Sequence, residues 1–234
     1  NIYSELSGFY HELFPVNQPL IDYLTSTMVK GSIILDVGCG NGQTTAALDC
    51  YGFNVMGIDS DSRMVSEARG HWPDIDFKEM DMTEIDKISR SFDCVLCLGN
   101  VISYLPNHSK ERFLRVVHAM LNEKGIWISQ FVNWDAILRQ PTFTFPIKEL
   151  PSRDVIFKRS YRDIKPESVL FCKELQRSGQ STIEEDQLFP VLVEEYRQIH
   201  LATGFELVGH WRDFKGTPYD PETMTGNVFI WQRN

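Results

Sequence analysis

The stretch of sequence that decides the fold is IILDVGCGNG, residues 33–42. It begins as a continuous apolar run, which is typical of a strand buried on both faces of a parallel sheet. It ends in alternating glycines at Gly38, Gly40 and Gly42, which allow a tight turn and let a ligand approach the backbone because no Cβ atom stands in the way. The segment from Thr44 onward is compatible with a helix. The pattern therefore predicts a strand that leads into a binding turn for a small molecule.

Two details of this turn indicate which ligand it binds. A dinucleotide fingerprint needs the spacing G-x-G-x-x-G, so that a pyrophosphate lies at the N-terminus of the following helix. Here the third glycine comes one residue early, at Gly42, and Gln43 holds the expected position. Asp36 precedes the glycines, and its charge would repel a pyrophosphate but attract a cationic ligand. S-adenosylmethionine carries a sulfonium, an ammonium and no phosphate, and it fits this turn better than NAD.

Three further motifs follow the glycine turn in order. VMGID, residues 55–59, is a second apolar run that ends in an acid, Asp59. In nucleotide-binding folds, a carboxylate ~20 residues after the glycine turn accepts from both hydroxyls of a ribose, and the distance from Gly42 to Asp59 is near this spacing. DFKEMDM, residues 76–82, places an acid and an apolar side chain after a short strand. FDCVLCLGN, residues 92–100, is a third apolar run, and a glycine follows it. With the first motif, this series resembles the class I S-adenosylmethionine-dependent methyltransferases.

The resemblance implies a cofactor, S-adenosylmethionine, and a product, S-adenosylhomocysteine. Asp81 would take the adenine amino group and Met82 would lie against the adenine ring, while the loop 98–100 would border the methionine end. Each acid has a second interpretation. Asp59 could cap the N-terminus of the next helix, although Ser60 and Asp61 are better placed for that role. Asp81 could be a solvated loop residue. The cofactor-binding residues expected from the resemblance are Asp36, Gly38, Cys39, Gly40, Gly42, Asp59, Ser60, Asp81, Met82, Leu98, Gly99 and Asn100.

Composition argues against several kinds of partner. The chain of 234 residues has a formal net charge of -9 and a pI near 5.2, whereas a protein that grips nucleic-acid phosphates needs clustered Lys and Arg. No apolar run approaches the ~20 residues of a membrane span, and no basic segment followed by an apolar one opens the chain. We therefore expect a cytoplasmic enzyme, monomeric or homodimeric, that binds neither nucleic acid nor membranes.

The spacing of cysteine and histidine predicts neither disulfides nor a metal site. The five cysteines form no framework, and Cys94 and Cys97 lie three apart on a predicted strand, so their side chains point to opposite faces. We interpret them as small buried hydrophobic residues. The six histidines include no His-x-x-x-His pair and no Cys/His cluster.

The pattern along the whole chain predicts an α/β fold. We expect a Rossmann-like, mostly parallel seven-stranded sheet with helices on both faces, an antiparallel final strand and an inserted antiparallel β cap. Strands alternate with helices over 33–131, and one of these helices is expected to begin at a Ser109 cap and to end at Gly125. The expected parts of this single domain are an N-terminal helical lid over 1–30, a cofactor-binding core over 31–134 and 191–234, and a substrate cap over 135–190, where apolar residues alternate with period two.

Methyl transfer from a sulfonium is an in-line displacement, so the protein chiefly holds the nucleophile and the methyl carbon in line. A general base is needed only when the acceptor has a proton to lose. The candidates near the predicted pocket are Tyr10, His11, Tyr104 and His108, and each of them also suits an ordinary packing or surface role.

The absence of one motif narrows the chemical class of the methyl acceptor. Methyltransferases that act on nucleobase amines or glutamine amides share a polar-Pro-Pro-aromatic motif after the fourth strand, and here that place reads LGNV, residues 98–101. We therefore predict an acceptor that is a small molecule, bound by Tyr3, Phe9, Tyr10 and the insertion 142–189. The alternatives are a non-catalytic S-adenosylmethionine-binding protein or a protein methyltransferase. An aminopropyl transferase is disfavoured because no acid follows the fourth strand.

Overall fold

The computed structural model describes the whole chain, residues 1–234, and contains two β-sheets. The strands in chain order are β1 (Ile33–Val37), β2 (Asn54–Asp59), β3 (Asp76–Glu79), β4 (Phe92–Cys97), β5 (Leu121–Val132), β6 (Phe143–Thr144), β7 (Lys148–Leu150), β8 (Val155–Arg162), β9 (Val169–Arg177), β10 (Gln180–Leu188), β11 (Phe205–Trp211) and β12 (Gly226–Arg233). The α-helices are α1 (Ile2–Leu6), α2 (Tyr10–Leu13), α3 (Gln18–Thr27), α4 (Gln43–Cys50), α5 (Ser62–His71), α6 (Asn107–Met120), α7 (Trp134–Ile137) and α8 (Val193–Thr203). Short 3-10 helices occupy Ser7–Phe9, Met82–Lys87, Val101–Tyr104 and Pro151–Arg153.

The larger sheet has seven strands in the order β11-β12-β5-β4-β1-β2-β3. Neighbours from β5 to β3 are parallel, whereas β12 runs antiparallel to both β5 and β11. In the centre, Ile34 of β1 pairs with Val55 of β2 and Cys94 of β4. The chain turns from one half of the sheet to the other between β1 and β4, and ligands bind in open α/β sheets outside the carboxyl ends at such a point. The predicted fold class is confirmed.

Apolar side chains cover both faces of the larger sheet, because alternate residues of a strand point to opposite faces. Leu35 of β1 belongs to the core on one face, to which α6 and α8 contribute, and Ile34 belongs to the core on the other, to which α3 and α4 contribute. On β4, Cys97 lies in the first core and Cys94 in the second. Both cysteines are therefore buried hydrophobic residues on opposite faces, as their spacing predicts.

The smaller sheet is inserted between β5 and α8 and is antiparallel throughout. Its strands follow the order β10-β9-β8-β6, and β7 also pairs with β8. Helices α1 and α2 pack on this sheet, since Ile2 joins Phe157 and Leu175 in a buried cluster. The chain re-enters the core close to where it leaves, because the Val193 N–H donates to Asp135 Oδ2 at 3.2 Å.

Helix α6 differs from its prediction at both ends. It begins at Asn107 rather than after a Ser109 cap, since Pro106 takes the N-cap position with φ at -54°, close to the value of a helical residue. Gly125 does not end the helix but lies within β5, which begins at Leu121 by pairing with β4. Strand pairing across the sheet thus sets the end of the helix, and the local glycine does not.

No helix of the structure is both long enough and apolar enough to cross a bilayer. The His, Cys, Asp and Glu side chains form no group of three or more that could hold a metal ion. All five cysteines are free thiols.

Candidate functional site

A cavity of 710 Å³ lies at the carboxyl-end edge of the larger sheet. The turns after β1, β2 and β4 form one wall of this cavity. A second wall comes from the N-terminal helices through Tyr3 and Tyr10, and a third comes from the smaller sheet through Arg159 and Phe171. The cavity wall thus combines residues of the sequence motifs with residues of the N-terminal helices and the smaller sheet, which contain none of the motifs.

Three glycines with positive φ build the turn after β1, at +77° for Gly38, +56° for Gly40 and +79° for Gly42. Residues with a side chain are strained in this region. A Cβ atom on Gly40 would meet no protein atom within 4 Å, and Gly40 lines the cavity, so its backbone is open to a ligand. A Cβ atom on Gly42 would lie 2.5 Å from the Phe77 ring, and Gly42 is not part of the cavity wall. Gly42 therefore serves close packing, in contrast to the expected cofactor contact.

Asp59 ends β2 and stands half-buried in the cavity wall. Its Oδ2 accepts from the Gly40 N–H at 2.8 Å and its Oδ1 accepts from the Asp61 N–H at 2.9 Å, which leaves each oxygen a lone pair for another donor. Burial raises the pKa of Asp59, and the backbone hydrogen bonds oppose that rise. Helix α5 is capped by Asp61, which accepts from the N–H groups of Arg63 and Met64 at 3.0 Å. Asp59 is thus not needed as a helix cap.

Asp36 and Cys39 lie beneath the glycine turn and outside the cavity wall. Asp36 is only 3% exposed, and its Oδ2 accepts a hydrogen bond from Thr45 Oγ1 at 2.7 Å. Burial raises the pKa of Asp36 to about 6, against the lowering effect of the Thr45 hydrogen bond. Cys39 packs with Phe77 in a small buried cluster. Both residues were expected to bind the cofactor, and in the structure their side chains support the turn from beneath.

Ser60, Asp81 and Met82 line the cavity beside Asp59. Asp81 Oδ1 accepts from the N–H and the hydroxyl of Thr83 at 2.7 and 2.6 Å, and it thereby caps the following 3-10 helix. The second carboxylate oxygen of Asp81 has lone pairs left for a donor in the cavity. Both interpretations of Asp81, the loop acid and the ligand-binding acid, are compatible with this geometry.

The loop after β4 brings Gly99 and Asn100 to the cavity, whereas Leu98 packs against the core. The Gly99 N–H donates to Gln130 Oε1 at 2.8 Å. Asn100 adopts a positive φ of +69°, a conformation that Asn tolerates better than most residues. Its Nδ2 donates to the Tyr161 hydroxyl of the smaller sheet at 3.2 Å. This hydrogen bond connects the loop after β4 to the inserted sheet.

The four candidates for proton transfer divide into two pairs. His11 and His108 are exposed and lie outside the cavity wall. Tyr10 and Tyr104 line the cavity, and the Tyr104 hydroxyl donates to Asp186 Oδ2 at 3.1 Å. Burial raises the pKa of Tyr10 to about 12 and raises the pKa of Tyr104 as well. Both phenols therefore keep their protons near neutral pH.

Two cations in the cavity wall, Arg159 and Lys173, were not predicted. A signal for them exists in the sequence. On β8, Arg159 follows Val155 and Phe157 at spacing two, and on β9, Lys173 follows Phe171 in the same way. Alternate strand residues share a face. A single cation among apolar residues on one face therefore indicates that the face borders a polar site at that position and is not entirely hydrophobic core. The expected acceptor residue Phe9, in contrast, is buried in the cluster beneath α1 and does not line the cavity.

A family model described as a methyltransferase domain matches residues 34–125, which include all four motifs except Ile33. A relative from Geobacillus sp. (strain WCH70) that bears a methyltransferase name is 32% identical over 207 residues, which cover 84% of this chain and 82% of the relative.

Solved structures of methyltransferases share the fold. A S-adenosylmethionine-dependent methyltransferase from Clostridium acetobutylicum superposes with a TM-score of 0.82 at 16% identity, over 100% of both chains. CalS10 from Micromonospora echinaspora, an amino pentose methyltransferase with bound S-adenosylmethionine, superposes with a TM-score of 0.67 at 16% identity, over 93% of this chain and 89% of its own.

The parallel sheet, the open glycine turn and the acid at the end of β2 define a Rossmann-like protein that binds a nucleoside cofactor. The chain belongs to the class I S-adenosylmethionine-dependent methyltransferases. Its cofactor is S-adenosylmethionine, and the residues present fit that group, since Gly40 and Gly99 leave open backbone at the cavity and Asp59 retains acceptor capacity.

Proposed function

We propose that the chain methylates a small-molecule acceptor that enters this cavity. The observation that carries the proposal is the wall formed by Tyr3, Tyr10 and the inserted sheet, which stands opposite the cofactor turns. The volume of 710 Å³ falls within the range of about 300–1,000 Å³ that is typical of small-molecule sites. A protein substrate would instead need an open groove. The amino pentose acted on by CalS10 is an example of a small acceptor on this fold.

In this proposal the four motifs hold the cofactor and the remaining walls hold the acceptor. Asp59 accepts from the ribose hydroxyls, Asp81 accepts from the adenine amino group, and Met82 lies against the adenine ring. Gly99 and Asn100 border the methionine end. These assignments are supported by the cavity-wall positions of all five residues.

Bound S-adenosylmethionine supplies an electrophilic methyl carbon on a sulfonium. The acceptor atom forms a bond to that carbon while the carbon–sulfur bond breaks, and the sulfur of S-adenosylhomocysteine keeps the electron pair. The protein contributes mainly alignment and exclusion of water, because a positioned nucleophile reacts far faster than a free one. Tyr10 orients the acceptor through a donated hydrogen bond, since its raised pKa keeps it protonated. Tyr104 lines the cavity, but its proton is already donated to Asp186.

The test is a screen for S-adenosylhomocysteine formation with small amines, phenols and carboxylic acids on one side and protein extracts on the other. We expect turnover with a member of the small-molecule set. Tyr10→Ala should lower kcat/KM for that acceptor by about tenfold or more, because a buried aromatic contact and a hydrogen bond are lost together. Its affinity for S-adenosylhomocysteine should stay within a few tenths of a kcal/mol of wild type.

Tyr51→Ala is the matched control, since Tyr51 is 44% exposed and lies outside the cavity wall. Equal losses of acceptor turnover and cofactor affinity in Tyr10→Ala would assign Tyr10 to the cofactor site or the core. Turnover with protein substrates alone would contradict a small-molecule acceptor.

A further inference from the structure

Arg159 is a cation in the cavity wall without an acidic partner. Its Nε atom is buried and has no hydrogen-bond partner. The titratable groups that interact with its guanidinium are the phenols of Tyr3, Tyr10 and Tyr161 and the ammonium of Lys148, and no carboxylate is among them. A partly buried Arg such as this one normally pairs with an acid, because withdrawing an isolated charge from water is costly.

Aromatic rings hold the guanidinium in place instead of an acid. Its Cζ atom lies 4.8 Å from the ring centroid of Phe145, 5.0 Å from that of Phe14 and 5.7 Å from that of Phe157. Such cation–π contacts position the charge and use none of its five N–H donors. The side chain is thus oriented in the free protein while its donors remain available to a ligand.

The register of the smaller sheet shows that the missing partner is specific to Arg159. Arg159 of β8 lies directly opposite Lys173 of β9, which lies opposite Glu184 of β10. Lys173 is 1% exposed, and its Nζ donates to Glu184 Oε1 and Asp186 Oδ2, both at 2.6 Å. Two acids therefore neutralise Lys173 and none neutralises Arg159.

The other polar groups around Arg159 are also donors. Burial raises the pKa of Tyr10 to about 12 and raises the pKa of Tyr3 and Tyr161, so their hydroxyls stay protonated at neutral pH. The Tyr161 oxygen accepts from Asn100 Nδ2, which leaves the Tyr161 proton free to donate. A guanidinium fork among neutral O–H donors matches the two oxygens of a carboxylate.

We propose that the methyl acceptor carries a carboxylate and that Arg159 binds this group. The inference rests on the proposed small-molecule function and specifies its substrate class. The cofactor also carries a carboxylate, but the β8 residue that contacts the loop at the methionine end is Tyr161. Arg159 lies two residues along the strand from Tyr161, which corresponds to about 7 Å, on the side of Phe14 and the N-terminal helices.

The first arm of the test measures acceptor binding. The protein saturated with S-adenosylhomocysteine is titrated by calorimetry with 4-hydroxybenzoate, 4-aminobenzoate and β-alanine, and with the amide of each. We expect a carboxylate to bind about tenfold or more tightly than its amide, as a charge-assisted contact provides. Arg159→Met should abolish that preference while it preserves the apolar stem against the rings. Arg162→Met, the same change at an exposed position of the same strand, should keep it.

The second arm separates the acceptor from the cofactor. The Kd values of S-adenosylhomocysteine and of 5′-methylthioadenosine, which lacks the amino-acid portion, are measured for wild type and Arg159→Met. We expect both ratios to stay within about twofold, which also shows that the variant is folded. A large loss for S-adenosylhomocysteine alone would assign Arg159 to the cofactor's carboxylate and overturn the proposal.

Failure of the proposal and failure of the proposed function give different results. If no carboxylate binds, or if the amides bind as well as the acids, Arg159 does not select an anionic acceptor. Turnover with a neutral small molecule would in that case leave the proposed function intact. Turnover confined to protein substrates would overturn both.

Discussion

The carboxylate of Asp59 has two partners in the backbone and capacity for two more, which makes it the residue whose role can be tested most directly. We predict that Asp59→Ala weakens S-adenosylhomocysteine binding by about 2 to 4 kcal/mol, since hydrogen bonds to a charged acceptor are worth about 1.5 to 3 kcal/mol each. Asp59→Asn should fall between, because an amide oxygen still accepts one hydroxyl. Isothermal titration calorimetry measures both.

Asp76→Ala is the control for this series. Asp76 lies at the start of β3, where it pairs with Met56 of β2 and not with Asp59, and it is exposed and outside the cavity wall. An Asp59→Ala protein that is folded and binds S-adenosylhomocysteine with the wild-type Kd would show that Asp59 serves only the backbone of the turn.

Asp36 gives a prediction on pH. Its pKa is raised from 3.8 to about 6, so the folded state binds a proton more tightly than the unfolded state. The resulting stability is fully present below pH 3.8 and is lost as the pH rises through 6. Between pH 4.5 and 7.5, wild type should therefore lose about 2 kcal/mol of unfolding free energy that Asp36→Asn does not lose.

Urea denaturation of both proteins at the two pH values measures this difference, and the comparison cancels the groups they share. The asparagine oxygen can still accept from Thr45 Oγ1, so the hydrogen bond of wild type is kept. A constant gap between the two proteins across this pH range would mean that Asp36 has an ordinary pKa in the folded state.

The residues that the sequence predicts and those that it does not differ in where their partners lie. The cofactor acids and glycines follow predicted strands directly, so their position needs only the local pattern and the parallel sheet. Arg159 is positioned by cation–π contacts with Phe14 and Phe145, and Lys173 is neutralised by ion pairs with Glu184 and Asp186. No local pattern encodes which strand lies next to which, and these roles required the structure.

Among the elements, β9 carries the most strongly buried charge of the molecule, Lys173. We predict that Lys173→Met lowers the unfolding free energy by about 3 kcal/mol, because removing one member of a buried ion pair leaves the others uncompensated. Chemical denaturation followed by circular dichroism measures the loss. Glu184 and Asp186 are each about a quarter exposed, which holds the effect near the lower end of the usual range.

Lys158→Met serves as the control on the neighbouring strand. Lys158 is 38% exposed and pairs with Glu174 at 3.4 Å, and a surface pair of this kind contributes no more than about 1 kcal/mol. If the two variants were equally stable, the triad of Lys173 with its two acids would have no role in holding β9 and β10 together.

The element boundaries show the same division between local and distant causes. Asp61 caps the start of helix α5, and Gly204, which has a φ of +98°, caps the end of α8; both signals are readable from adjacent residues. The end of α6 is not, since Gly125 marks no helix terminus and β5 begins earlier. Pairing with β4 stabilises Leu121 as a strand residue. The residues of β4 lie more than 20 positions earlier in the chain, so the sequence around Leu121 does not show that strand pairing competes with the helix.

At the scale of the whole molecule, the N-terminal helices connect the core to the inserted sheet. Ser4 Oγ donates to Asp61 Oδ2 at 2.6 Å, and the Ile2 N–H donates to Glu184 Oε2 at 2.6 Å. Tyr3 and Tyr10 line the cavity from this segment. If the segment is the lid that its position supports, its opening must precede ligand release.

We therefore predict that saturating S-adenosylhomocysteine slows amide hydrogen exchange in α1 and α2. At a hundredfold excess over Kd, the ligand adds about 2.7 kcal/mol to the free energy of any opening that releases it. Helix α8, which lies outside the cavity wall, is the internal reference. Exchange by mass spectrometry that is unchanged in α1 and α2, in a protein shown to be saturated, would rule out the lid.

The architecture as a whole was predictable because it depends on periodicities. Alternation of apolar runs with helical spacing predicts the parallel sheet, and period-two alternation after β5 predicts an antiparallel insertion, both of which the structure contains. The packing of α1 and α2 on the inserted sheet did not follow from these periodicities. It depends on matching apolar surfaces far apart in sequence, such as Ile2 with Leu175.

The inserted sheet leaves and re-enters the core at adjacent points, where Val193 and Asp135 are hydrogen-bonded. A segment with such closely spaced ends costs little chain entropy to replace by another of different length. In the function proposed above, this exchangeable segment carries one wall of the acceptor site, while the residues proposed to bind the nucleoside follow strands outside it. Random libraries confined to residues 143–188, or chimaeras joined near Asp135 and Val193, would then change which acceptors are methylated while cofactor binding is retained.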